Sequence, residues 1–91
     1  MNPLVQQVLD LSLAWPVLLM HPGDYANLLH HGKGFVSPTS IHERRTLTAH
    51  VRSMEIHVDK ERVPSGVLWA ADNDSVAAVP ESQRFPVAWP A

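Results

Sequence analysis

"TLTAHVRSMEIHVD", residues Thr46–Asp59, decides how this chain folds. Leu47, Ala49 and Val51 are apolar at odd positions; Met54, Ile56 and Val58 are then apolar at even ones. Alternation of this kind marks a strand with one buried face. Side chains on a strand alternate with a period of two, so an uninterrupted strand cannot change the parity that faces the core. One extra residue can change it, as a β-bulge does. The expectation is a single bulged strand kinked at Arg52-Ser53. The rival reading is a turn at Arg52-Ser53 joining two short strands. Neither residue is a strong turn former, which favours the bulge. On the bulged reading the six apolar residues point one way. Thr46, Thr48, His50, Glu55, His57 and Asp59 share the other face.

Upstream, Asn2-Pro3 is a helix start, a capping side chain followed by proline at the first helical position. Leu4, Val5, Val8, Leu9 and Leu11 follow at helical spacing, and Pro16 ends the helix before Trp15. "PVLLM", residues 16–20, has the length of a buried strand. His21-Pro22-Gly23 reads as a turn, Asp24 as an N-cap for a helix over "YANLLHH", and Gly32 as its closing glycine. His30 and His31 lie in that helix's last turn, where positive charge is favourable. Ser40 and Glu43 have capping-box spacing, which allows one helical turn over Ile41–Arg45.

Downstream, Pro64-Ser65-Gly66 supplies turn chemistry, "VLWAA" returns as a strand, and "SVAAV" reads as a further one. The end of the chain, "PESQRFPVAWPA", is spaced by Pro80, Pro86 and Pro90 and should be extended, with Phe85, Val87 and Trp89 on one side. It either packs on its own domain or docks elsewhere. The fold class is therefore α+β: two N-terminal helices, then a small antiparallel β-meander with a bulged central strand, and an extended proline-rich C-terminal tail. Residues 1–79 form one small domain and 80–91 the tail.

Ninety-one residues allow one domain, with a core too small to leave much margin, so self-association as a homodimer would help. Only 18% of residues are charged and the net charge is −2. The charge is spread: residues 41–62 carry five basic and four acidic side chains, and the flanking segments are slightly acidic. No segment builds the positive field that phosphate neutralisation requires, so nucleic acid is not the expected partner. There is no cysteine, which removes disulfides and thiolate chemistry and fits a cytoplasmic setting. The apolar N-terminus has no basic leader, carries Gln6, Gln7 and Asp10, and is broken by Pro16. It reads neither as a signal peptide nor as a membrane span.

Six histidines raise the question of metal. His50 and His57 on one bulged strand would stand roughly 20 Å apart, at about 3.3 Å per residue, too far to share an ion. No H-E-x-x-H spacing is present; an assembled site such as His21, His30 and His57 stays open. Ser37, Ser40 and Ser53 lack a nucleophile-elbow context, and "GKG" at 32–34 lacks the phosphate-loop pattern. No catalytic residue, metal ligand or cofactor is expected. What remains is interaction. Trp15, Trp69 and Trp89 are large anchors for so small a chain, and tryptophan is enriched at interface hot spots. Phe85, on the tail, and His50, Arg52 and His57, on the polar strand, complete the candidate contact residues.

"PVLLMHPGDYANLL" and "MEIHVDKERVPSGVLWA" together resemble small hypothetical proteins of bacteriophages and prophages, in which a strand, a D-Y helix and a "V-D…P-x-G" hairpin recur. The resemblance covers about half of the chain. It implies a bacterial or phage setting and action by binding, either to a host protein, as anti-CRISPR proteins act, or within a virion. It supplies no catalytic residues. The function expected is non-enzymatic protein–protein interaction. The alternatives are a virion structural or assembly component and a small histidine- or metal-dependent enzyme.

Overall fold

A computed structural model describes residues 2–39, 48–72 and 79–89. The chain is α+β, with two α-helices and one mixed sheet among the described residues. Helix α1 spans Pro3–Leu11; the Asn2 side chain accepts hydrogen bonds from the Leu4 and Val5 N–H groups, as the Asn-Pro start predicts. Strand β1 is Val17–Met20, and all four of its residues are buried. Helix α2 spans Pro22–His31. Strands β2 (Ser37–Thr39), β3 (Thr48–Val51), β4 (Met54–Val58), β5 (Val67–Ala71) and β6 (Arg84–Pro86) follow. The sheet order is β2-β3-β4-β1-β5-β6.

The parity change at Arg52-Ser53 is produced by a hairpin, not by a bulge. β3 and β4 pair antiparallel, with Val51 opposite Met54, Ala49 opposite Ile56, His50 opposite Glu55 and Thr48 opposite His57. In a two-residue hairpin the numbers of opposed residues sum to an odd value, so odd positions on one strand share a face with even positions on the next. Arg52 makes the turn, with φ +56°. A left-handed first turn residue is what a primed hairpin turn needs, and its twist matches the strands. Arginine is not a signal for that conformation, which is why the sequence favours the bulge.

The second departure is topological. The expected meander is interrupted, because β1 inserts between β4 and β5. It runs parallel to β4 (Leu18 opposite Ile56) and antiparallel to β5 (Leu18 opposite Ala70). The ladder to β4 extends beyond the strands through Glu55 N–H to Pro16 O and Asp59 N–H to Met20 O. A strand flanked on both sides and covered on both faces must be apolar throughout, and "VLLM" is. The strand expected over "SVAAV" and the helical turn expected over Ile41–Arg45 fall on residues outside those described, apart from Val79, which is buried.

Leu18, Met20, Ala49, Val51, Met54, Ile56, Leu68 and Ala70 face the helices and join Leu4, Val5, Val8 and Leu28 in the main core. The other face holds a smaller cluster: Val17, Leu19 and Ala71 from the sheet, covered by Val63 and Val79. Val63 is placed by the turn after β4. There the Asp59 carboxylate accepts from the Glu61 and Arg62 N–H groups and pairs with the Arg62 guanidinium at 2.7 Å.

Helix α2 begins earlier than the sequence suggests. Its N-cap is His21, whose Nδ1 accepts from the Gly23 N–H at 3.1 Å, and Pro22 is its first residue. Asp24 is therefore in the first turn. Its buried carboxylate accepts from the Gly66 N–H at 2.8 Å and lies at the positive end of the helix. Gly66, with φ +89°, closes the turn before β5. Gly32 ends α2, but by closeness rather than by a left-handed conformation: a Cβ there would stand 2.6 Å from the Leu28 carbonyl oxygen.

Candidate functional site

The hairpin brings together residues that a continuous strand would hold apart. His50 and Glu55 are directly opposed on the face away from the helices, and His57 is two residues along from Glu55. Opposed side chains have Cβ atoms about 5 Å apart and diagonal ones about 7–8 Å. His50 and His57 are thus near neighbours, not the distant pair that a bulged strand implies. Glu55 Oε1 lies 3.6 Å from His57 Nε2, and the two side chains are 46% and 27% exposed. The group offers a carboxylate acceptor beside two imidazoles, each of which can donate or accept. Among the described residues, no three His, Asp or Glu side chains are grouped to hold a metal ion.

The same face continues across the sheet. Thr48, His57, Leu19, Trp69 and Arg84 lie in one transverse row, set by the pairings Thr48–His57, His57–Leu19, Leu19–Trp69 and Trp69–Arg84. The Arg84 guanidinium carbon stands 4.4 Å from the centroid of the Trp69 ring, a cation–π contact. The Arg84 Nη2 donates to the Val79 carbonyl at 2.8 Å. The Trp69 indole N–H is buried with no hydrogen-bond acceptor among the described residues. Buried Leu19 separates Trp69 from the histidines, so the face has a polar half over β3–β4 and a covered half over β1–β5.

The other candidates lie elsewhere. Trp15 packs at the margin of the helix-side core, and Phe85 joins the same core from β6. Arg52 is exposed at the hairpin tip. Trp89 is 51% exposed, just beyond β6. Three residues escaped the sequence reading. Leu13 and Phe35 are large, apolar and exposed, and Phe35 in a glycine-flanked loop carried a signal for this. Arg84 carried none, because its partner is fixed by the β5–β6 register.

Residues 84–88 pack on the chain's own sheet and helix α1. β6 pairs with β5, Val87 is buried, and the Val87 N–H donates to the Gly66 carbonyl at 2.9 Å. No helix among the described residues is long and apolar enough to cross a membrane. Comparison with protein-family models, curated proteins and solved structures finds no match for this chain.

Proposed function

We propose that this chain is a non-enzymatic binding protein that recognises another protein through Trp89 and the surface around it. One observation carries the reading: Trp89 is half exposed, yet the backbone leading to it is fixed. Val87 is bonded to Gly66, and the Ala88 N–H donates to Gln7 Oε1 at 2.9 Å. A large aromatic side chain presented from an ordered backbone loses little conformational entropy on binding, which is what makes an anchor. In keeping with the phage resemblance, the partner is a protein of a bacterial host, bound so as to inhibit it, or a component of a virion.

A second reading, a small histidine-dependent enzyme, is favoured by the grouping of His50, Glu55 and His57. One experiment separates the two. Proteins captured from a bacterial lysate are identified by mass spectrometry, with Trp89→Ala and the double variant His50→Ala/His57→Ala beside the parent chain. The binding reading expects a discrete partner whose recovery falls at least about tenfold with Trp89→Ala, as for a hot-spot anchor. Equal recovery with Trp89→Ala, and loss only with the histidine variant, would move the site to the polar face.

A further inference from the structure

The structure assigns to Gln7 the role of a stand-in strand: its side-chain amide closes the β6 edge of the sheet against pairing with a second copy of the chain. This role is independent of what the protein binds. An edge strand presents a row of outward N–H and C=O groups, a template for another strand. Pro86 lies opposite Val67. Proline has no N–H to exchange, so this pair is of the kind that makes no direct ladder bonds, and residues 84, 86 and 88 turn their peptide groups away from β5.

The outward N–H groups, and the Pro86 carbonyl, are already engaged. The Arg84 N–H donates back to the Glu81 carbonyl in the 3-10 turn at Glu81–Gln83. Pro86 has no N–H, and its carbonyl accepts from Gln7 Nε2 at 2.8 Å. The Ala88 N–H donates to Gln7 Oε1 at 2.9 Å. One amide on helix α1 thus makes the donor and acceptor contacts that a neighbouring strand's peptide would make. An incoming strand finds no N–H available at 84, 86 or 88. The opposite edge follows a related rule: in β2, Pro38 lies opposite Ala49 and turns its N–H-less nitrogen outward.

The test uses light scattering and sedimentation on the full chain, from about 10 µM to about 1 mM, the range in which unpaired strand edges associate. The variants are Gln7→Ala, which removes the amide, and Gln7→Ala with Pro86→Val, which also restores an outward N–H. Gln7→Ala should speed exchange of the Ala88 amide while leaving the Leu68 amide protected, a sign that the fold is intact. The double variant should show a concentration-dependent rise to about twice the parent mass. The inference is overturned if the double variant keeps the parent mass throughout with its Ala88 amide exposed. It is equally overturned if the parent chain already pairs through β6, seen as contacts between β6 residues of two differently labelled copies.

Discussion

Leu18 and Leu19 are neighbours in sequence, both are fully buried, and they look into different cores. Leu18 faces the two helices, and most of the core around it comes from regular elements with a repeating apolar pattern. Leu19 faces Val63, Val79 and Trp69, and the first two of these come from irregular segments folded over the sheet. Among the described residues, that second cluster does not extend to β3 and β4, where His50, Glu55 and His57 lie on the face instead. One face is built for stability throughout. Among the described residues, the other has an apolar cluster over half its width, and its remainder carries polar groups that the core does not need.

The largest expected effect comes from truncating each face in turn. Leu18→Ala should cost about 3–5 kcal/mol and Leu19→Ala about 2–3 kcal/mol, because a cavity beneath an irregular segment can partly collapse. Glu55→Ala should stay within about 0.5 kcal/mol, as for a surface position. Urea unfolding measures all three. A Leu19→Ala cost as small as that of Glu55→Ala would mean that the second face is open everywhere.

Acid should act next, and on the second face first. Partial burial pushes the Asp59 carboxyl up, but hydrogen bonds from Arg62 and Glu61, with the Arg62 charge, outweigh it and hold the group below its ordinary value. A carboxyl depressed by folding stabilises the fold above its unfolded value, about 3.9, and that contribution fades as pH falls through the folded value. Amide exchange at Val63 should therefore rise below about pH 4 before that of Leu18 does. Asp59→Asn should remove this acid-dependent part of the loosening. Val63 and Leu18 loosening together, with no change in Asp59→Asn, would detach the turn from the cover.

The smallest effect belongs to the hairpin tip. Arg52 adopts a left-handed conformation that costs a non-glycine residue about 1 kcal/mol. Arg52→Gly should be stabilising by a few tenths of a kcal/mol, after glycine's greater loss of chain entropy is subtracted. Arg52→Val should be destabilising by about 1 kcal/mol or more. A thermal melt that ranks valine above glycine would contradict the turn.

What the sequence revealed follows the same division. The α1 cap and the fully buried "VLLM" strand were legible because each depends on local pattern, whereas the alternation of Phe85, Val87 and Trp89 does not decide whether Val87 packs on its own sheet or elsewhere. The shared outward face of His50, Glu55 and His57 was legible too, since a bulge and a hairpin give the same parity. Their closeness was not legible, because it depends on whether Arg52 turns the chain back, and arginine carries no φ preference that announces it. Nor was the place of β1 between β4 and β5, a long-range choice that no window of residues encodes. His21 as a cap was missed because Nδ1 can accept only in the tautomer that carries the proton on Nε2.

The pairing within residues 48–58 bears most directly on the assembled polar face, and proton–proton cross-relaxation reads it without any variant. In the two-residue hairpin, Val51–Met54 is a hydrogen-bonded pair, so His50–Glu55 and Thr48–His57 are the close, non-bonded ones. Strong Hα–Hα cross-peaks between His50 and Glu55, and between Thr48 and His57, are the predicted result. Sequential contacts running through Arg52-Ser53 as one extended strand, with neither cross-peak present, would contradict it.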